Sequence, residues 1–119
     1  MDEKNILIVD DEPCIRETTK DILSYAGFNV TTGNDGFDAV DRVKQGFNGL
    51  ILMDIKMPRL DGISAFKMIH DINPDVRSLI MTGYATNKNE ADAKKMGITI
   101  LYKPFNIDEL FRLINVIDP

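Results

Sequence analysis

The sequence predicts a single α/β domain in which five parallel strands alternate with five helices. Five short apolar runs recur along the 119 residues, and a segment with helical spacing of apolar side chains follows each run. The connections between these segments are short. Strands and helices that alternate in this order form a parallel sheet with helices on both faces.

The apolar runs place the strands at residues 5–9, 28–32, 49–53, 76–81 and 98–102. The second run alternates apolar and polar residues, which suits the edge of a sheet. The third is apolar at every position from Leu50 to Met53, which is typical of a strand buried on both faces.

Capping and stop signals bound the helices that follow the strands. Pro13 opens the first helix, and Gly27 ends it. Phe37 contributes to the apolar stripe of the second helix. Asn87, with Glu90 three residues later, predicts a capping box at the start of the fourth helix. The fourth helix has few large apolar residues, so we expect it to pack shallowly and to move easily.

The remaining helix boundaries come from similar signals. The turn at residues 33–36 offers an N-cap for the second helix, Asp61 is the N-cap candidate for the third, and Asn106 with Glu109 opens the last helix. Gly46, Asn73 and Gly97 end the second, third and fourth helices.

Composition excludes several classes of protein. Hydrophobic residues make up 44% of the chain and charged residues 28%, as in ordinary globular domains. No apolar run is long enough to cross a membrane, and we find no secretory signal peptide. The net charge of -5 argues against a nucleic-acid surface. A single cysteine fits a reducing compartment, so we expect a cytoplasmic protein.

Polar side chains stand at the ends of four of the five predicted strands. Asp10 and Asp11 follow the first strand, Asp54 the third, Thr82 the fourth and Lys103 the fifth. The carboxyl ends of parallel strands share one edge of the sheet, where ligands bind in α/β folds. Each residue alone is explained by capping or by a turn, but their joint placement predicts a functional site.

Three carboxylates in one pocket repel each other. At about 5 Å and an effective dielectric constant of about 20, each pair costs roughly 3 kcal/mol. Either protonation or a divalent cation relieves this repulsion, and oxygen ligands with room for water favour Mg²⁺. Such a cation would also hold phosphoryl oxygens, so that one carboxylate could act as a nucleophile and form an aspartyl phosphate. Lys103 and Thr82 would supply a charge and a hydroxyl donor to the incoming group.

With these motifs in place, the chain resembles the receiver domain of bacterial two-component response regulators over residues 1–119. The matching motifs are Val9–Glu12, Met53–Pro58, Asp61–Gly62, Thr82–Gly83 and Lys103–Phe105. The resemblance implies a flavodoxin-like sheet of strand order 2-1-3-4-5. It also implies a phosphoacceptor rather than an enzyme, with slow autodephosphorylation.

The resemblance assigns roles to the strand-end residues. It implies that Asp54 accepts phosphate from a phosphohistidine of a sensor histidine kinase or a phosphotransfer protein. Asp11, Asp54 and the Lys56 backbone carbonyl would bind Mg²⁺ directly, and Asp10 would act mainly through water.

The remaining implied roles concern the switch itself. Thr82 would swing toward the phosphoryl group, and Lys103, before a cis proline bond, would pair with it. The surface of the fourth helix, fifth strand and fifth helix would then change and control an output domain or partner protein.

This chain departs from the family at the switch aromatic. Ile100 stands three residues before Lys103, where receivers usually carry an aromatic residue. Strand alternation predicts that Ile100 and Tyr102 lie on the same side of the fifth strand. Either Tyr102 substitutes for the aromatic residue, or the coupling needs no aromatic side chain, and both residues can also be read as core packing.

Four other residues receive specific expectations. Tyr84 and Lys56 would flank the mouth of the pocket, control the access of water and so set the phosphoryl lifetime. Cys14 is predicted to be a small packing residue. His70 is predicted to be exposed and not to carry a phosphoryl group.

Three alternatives have different chemistry. A flavodoxin-type electron carrier shares the fold, but Asp10 and Asp11 would repel the flavin phosphate. An aspartyl phosphatase would need an acid where Lys56 stands. A receiver that serves only as a docking module would usually lack part of the acidic set. The sequence leaves open whether the domain stands alone or belongs to a longer regulator or hybrid kinase.

Overall fold

The computed structural model describes residues 4–117, which form five strands and five helices in strict alternation. The strands are β1 (Asn5–Val9), β2 (Asn29–Gly33), β3 (Leu50–Met53), β4 (Arg77–Thr82) and β5 (Thr99–Tyr102). The helices are α1 (Pro13–Tyr25), α2 (Gly36–Lys44), α3 (Gly62–Ile72), α4 (Asn87–Lys95) and α5 (Ile107–Ile117). The strands pair in parallel in the order β2-β1-β3-β4-β5, which confirms the predicted α/β fold.

The sheet separates two apolar layers. Side chains of β1, β3 and β4 that point to one face pack against α2, α3 and α4, and those on the other face pack against α1 and α5. Every residue of β3 is buried, as its continuous apolar run predicted. The exposed and half-buried residues of β2 alternate, which agrees with its position at the edge.

Caps define the starts of the helices that border the functional edge. Asp35 accepts a hydrogen bond from the Asp38 amide at the start of α2, and Asp61 accepts one from the Ser64 amide at the start of α3, each at 2.9 Å. Asp61 was predicted as a cap, and Asp35 lies in the turn that was predicted to supply one. A side-chain acceptor at this position satisfies an amide that has no partner within the helix.

The capping box of α4 lies one residue earlier than predicted. Thr86 is the N-cap, and it exchanges reciprocal 3.0 Å hydrogen bonds with Asn89. The prediction of Asn87 with Glu90 was wrong because a neighbouring pair with the same spacing also satisfies the capping pattern. Ala93 is the only residue of α4 that is fully buried in the described chain, so the expected shallow packing is confirmed.

Three further predictions about burial were wrong. Phe37 is 41% exposed because it lies beside the buried face of α2 and not on it. Cys14 is exposed at the rim of an apolar groove between α1 and α5. His70 is half-buried because its Nε2 lies 2.8 Å from the hydroxyl of buried Ser78 on β4.

Within residues 4–117, no helix combines the length and the apolar character that crossing a membrane requires.

Candidate functional site

The predicted residues converge at the carboxyl edge of the sheet. Asp10 and Asp11 directly follow β1, Asp54 follows β3, Thr82 is the last residue of β4, and Lys103 follows β5. Since β1, β3, β4 and β5 are adjacent and parallel, their ends meet at one place. The strands therefore position side chains that are distant in sequence.

The three carboxylates form one cluster. One oxygen of each of Asp10, Asp11 and Asp54 lies within 4.8 Å of the others. Asp10 is completely buried and Asp54 is 6% exposed, whereas Asp11 faces solvent. A set of oxygen ligands with one open side has the chemistry that a hard divalent cation prefers. These residues fit such an ion.

Lys103 links the two buried acids. Its Nζ donates to Asp10 Oδ2 at 2.7 Å and to Asp54 Oδ2 at 3.1 Å. Burial alone would lower the pKa of Lys103, but the two carboxylates outweigh this effect and raise the pKa above 10.5. The ammonium group therefore stays charged and offsets part of the repulsion between the acids. The Lys103-Pro104 bond is cis, as the resemblance implied.

Thr82 contacts the other oxygen of Asp54. Its hydroxyl lies 2.7 Å from Asp54 Oδ1 and 3.0 Å from the carbonyl oxygen of Tyr84. A hydroxyl has one proton to donate, so these two acceptors compete for it. A small rotation of the Thr82 hydroxyl would therefore move its hydrogen bond from the Asp54 carboxylate to the Tyr84 carbonyl oxygen.

Backbone hydrogen bonds hold Asp54 and the residue that follows it. Its amide donates to the Val9 carbonyl at 3.1 Å, and the Gly62 amide donates to the Ile55 carbonyl at 2.8 Å. A Cβ atom at Gly62 would collide with the Asp54 carbonyl oxygen. Only glycine fits there, so the start of α3 closes directly against the phosphoacceptor candidate.

The cleft above Asp54 opens between two loops. It has a volume of about 410 Å³ and is lined by Asp11, Glu12, Asp54, Lys56, Thr82, Gly83 and Tyr84. Tyr84 is 68% exposed, and Lys56 also faces solvent. Both stand at the mouth of the pocket, where they were expected.

Ile100 and Tyr102 lie on the same face of β5, as predicted. Ile100 packs half-buried against the apolar layer beneath α4. Tyr102 pairs in register with Thr82 and is 43% exposed. Partial desolvation of its ring, together with the Glu90 carboxylate of α4, raises the pKa of Tyr102. The phenol of Tyr102 is therefore directed at α4 and not into the core.

Two arginines that the sequence analysis did not single out support the site. Arg16 donates from Nη1 to the Asp10 carbonyl at 2.9 Å, so α1 holds the end of β1. The only sequence signal for this contact was the position of Arg16 one helical turn after Pro13, close to the end of β1. Arg59 pairs with Asp35 across the loop that follows Asp54. No sequence pattern connects these two residues.

The family model described as response regulator receiver domain matches residues 6–115.

The chain belongs to the response regulator receiver family.

Relatives of receiver type cover nearly the whole chain. Sporulation initiation phosphotransferase F of Bacillus subtilis is 36% identical over 111 residues, which are 92% of this chain and 89% of that protein. The transcriptional regulatory protein ZraR of Escherichia coli is 34% identical over 110 residues, again 92% of this chain. The chain spans 25% of the length of ZraR.

Solved structures agree with the fold. A CheY-like receiver domain from Methanospirillum hungatei superposes with a TM-score of 0.92 at 30% identity and covers 97% of this chain and 93% of its own. TrrA from Thermotoga maritima, solved in complex with Mg²⁺-BeF, superposes with a TM-score of 0.85 at 30% identity, over 96% of this chain and 98% of its own. Receiver domains are phosphoacceptor signalling domains of two-component systems.

Proposed function

We propose that this domain is a phosphorylation-dependent switch whose phosphoacceptor is Asp54. The proposal rests on the contacts of this carboxylate. One oxygen meets the Thr82 hydroxyl and the other meets the Lys103 ammonium group, in a cleft with two further acids. A phosphohistidine of a sensor histidine kinase or a phosphotransfer protein is the proposed donor.

The transfer uses one oxygen of Asp54 as the nucleophile. This oxygen attacks the phosphorus atom, the bond from phosphorus to the donor nitrogen breaks, and the electron pair leaves with the imidazole. Lys103 and Thr82 already contact the carboxylate, so each can turn to a phosphoryl oxygen over a short distance. Charge neutralisation and positioning account for most of the catalysis in such transfers.

Mg²⁺ is the proposed cofactor. Asp11, Asp54 and the Lys56 backbone carbonyl would bind it directly, and Asp10 would act mainly through water. The clustered carboxylate oxygens support this assignment, as does the similarity to TrrA, which was solved with Mg²⁺-BeF. When bound, the cation supplies positive charge that stabilises the transferring phosphoryl group.

The proposed output surface comprises α4, β5 and α5. Its movable part is α4, which buries only Ala93 and meets Ile100 and Tyr102 on β5. A turn of Thr82 toward the phosphoryl group would shift the balance between two positions of α4. An output domain or partner protein would read the change. The net charge of -5 makes direct nucleic-acid binding by this domain an unfavourable alternative.

The phosphorylated state would be short-lived and confined to the cytoplasm. Water that enters the open cleft would hydrolyse the aspartyl phosphate slowly without a second protein. The single cysteine, which is exposed, is consistent with a reducing compartment.

Intact mass spectrometry tests the proposal. After incubation with Mg²⁺ and acetyl phosphate, we expect the parent protein to gain the mass of one phosphoryl group and Asp54→Asn to gain none. Asp41→Asn, which changes an exposed carboxylate of α2, is the matched control and should behave like the parent. A parent protein that never gains the group would favour a docking module that does not transfer phosphate.

A further inference from the structure

A second cluster of side chains lies outside the acidic cleft, where the start of α2 meets the loop between β3 and α3. The Arg59 Nη2 atom of this loop donates to Asp35 Oδ2. The guanidinium carbon of Arg59 also lies 5.3 Å from the centroid of the Phe37 ring, within the range of a cation–π contact. Arg59 is absent from the lining of the cleft above Asp54.

Asp35 provides a rigid anchor for this contact. It is 8% exposed, and its Oδ1 accepts the Asp38 amide at 2.9 Å as the N-cap of α2. The two carboxylate oxygens therefore have separate partners, one within α2 and one in the loop. The Asp38 amide, together with Arg59, holds the pKa of Asp35 below 3.8 although burial opposes them. Asp35 therefore stays ionised at neutral pH.

Arg59 also has an unusual backbone. Its φ of 71° is the only positive value at a non-glycine residue among the described residues. Side chains disfavour this left-handed region, so a residue stays there only when its contacts hold it. The contacts of the Arg59 side chain with Asp35 and Phe37 can hold it in this conformation.

The loop and the helix also meet at the backbone. A Cβ atom at Gly36 would lie 2.9 Å from the Leu60 carbonyl oxygen, so the first residue of α2 seats closely against the loop. The Leu60 amide in turn donates to the Pro58 carbonyl at 2.8 Å. These contacts extend the connection from α2 toward the part of the loop nearest Asp54.

We propose that Arg59 is a positioning residue that anchors this loop on α2 and thereby holds the Lys56 carbonyl toward the cation. The inference rests on the proposed function, because it uses Lys56 as a metal ligand. An exposed ion pair contributes little by itself. Here, however, Asp35 is buried and caps α2, and Arg59 has a left-handed backbone.

The test is a double-mutant cycle with Arg59→Asn and Asp35→Asn. Asparagine tolerates the left-handed backbone at residue 59 and keeps a cap acceptor at residue 35, so each change removes chiefly the ion pair. The matched control is Arg42→Gln, because Arg42 also lies on α2 but donates to the Thr32 carbonyl of β2 at 3.2 Å. The measurements are the Mg²⁺ dissociation constant by calorimetry, the rate of phosphorylation by acetyl phosphate, and the melting temperature.

We expect each single variant to weaken Mg²⁺ binding several-fold. The Mg²⁺ dissociation constant of the double variant should not exceed that of the single variant that binds Mg²⁺ more weakly. Phosphorylation should be slow at low Mg²⁺ and should recover at saturating Mg²⁺, which a general loss of stability would not produce. Arg42→Gln should bind Mg²⁺ like the parent.

Two results would overturn the inference while the proposed function stands. One is a parent protein that is phosphorylated while both single variants bind Mg²⁺ unchanged, whatever their melting temperatures. The other is additive losses in the double variant, which would show that the two residues act separately. A parent protein that binds no Mg²⁺ and takes up no phosphate would overturn both the inference and the proposed function.

Discussion

Lys103 contacts Asp10 and Asp54 simultaneously, so its charge is already in use before any phosphoryl group arrives. If Asp54 becomes phosphorylated, the ammonium group has to be shared between buried Asp10 and the new phosphoryl oxygens. Asp10 also accepts the Glu12 amide at 2.9 Å, but a buried carboxylate without a cationic partner is costly, so Lys103 is expected to keep its contact with Asp10. We therefore expect Lys103 to exchange only its contact with Asp54 for a contact with the phosphoryl group.

The two residues at the mouth of the cleft, Tyr84 and Lys56, are predicted to set the phosphoryl lifetime. Both side chains are exposed beside Asp54, where attacking water must pass. We expect Tyr84→Ala and Lys56→Ala to change the dephosphorylation half-life several-fold with little effect on stability, because neither side chain is buried. The decay of the phosphorylated protein, followed by intact mass, measures this half-life.

Tyr25→Ala is a suitable control for this prediction. Tyr25 is 96% exposed at the far end of α1, away from the cleft. If the Tyr84 and Lys56 variants decay at the same rate as Tyr25→Ala and the parent, the two residues do not control water access.

At the scale of elements, α4 differs from the other helices in how it is held. It buries one residue, Ala93, whereas α5 buries Leu110, Leu113 and Ile114. Its anchorage therefore depends on its cap and on contacts with β5 more than on a core face. A helix with so little buried surface can change position at low cost.

Loss of the α4 cap should loosen this helix selectively. We expect Thr86→Ala to destabilise α4 by about 1 kcal/mol, because the Asn89 amide loses its acceptor. Amide hydrogen exchange within α4 should become about fivefold faster. Exchange in the central strands should stay unchanged, since they open only with the whole domain.

Asn106→Ala is the matched control for this change. Asn106 accepts the Glu109 amide at 2.7 Å at the start of α5. Its loss should leave exchange in α4 unaltered. Equal acceleration in α4 and in the core strands of Thr86→Ala would contradict selective loosening.

For the whole molecule, the parts that could be predicted from the sequence are those set by periodicity and strand order. The β3 run and the acids after β1 and β3 predict a parallel sheet with acids at one edge, and the structure has this sheet and brings the acids together there. Contacts between loops were not predictable in the same way. Arg59 and Asp35 are 24 residues apart, and only the assembled fold brings them together.

Burial at the ends of helices was the other source of wrong predictions. Phe37 was assigned to the apolar stripe of α2, but the buried face of this helix passes through Gly36 and Ala39, and Phe37 lies beside it against Arg59. His70 occupies a polar position of α3, yet the turn into β4 returns the chain and places Ser78 beside it. Periodicity identifies the buried stripe of a helix, but it does not show where the neighbouring layer ends.

The His70–Ser78 contact predicts a pH dependence of the stability of the whole domain. Burial lowers the pKa of His70 below 6.5, and nearby Asp71 only partly opposes this effect. The unfolded chain therefore binds a proton at higher pH than the folded protein does. Stability should be fully present above about pH 6.5 and should be lost as the pH falls through the lowered pKa.

Urea unfolding at about pH 7.5 and about pH 5.5 measures this effect. The parent protein should lose stability between the two values, and His70→Gln should lose less. His70 is the only histidine of the chain, so few other groups titrate in this range. An equal loss in the parent and in His70→Gln would assign the pH dependence elsewhere.

The glycine that closes against Asp54 has a consequence for how information leaves the pocket. Because Gly62 leaves no gap beside the Asp54 carbonyl, the backbone there cannot yield toward α3 without breaking the packing of the sheet. The opposite wall, formed by Thr82, Gly83 and Tyr84, leads into α4, which buries only Ala93. If Asp54 becomes phosphorylated, we therefore expect the displacement to occur on the α4 side of the cleft and not on the α3 side.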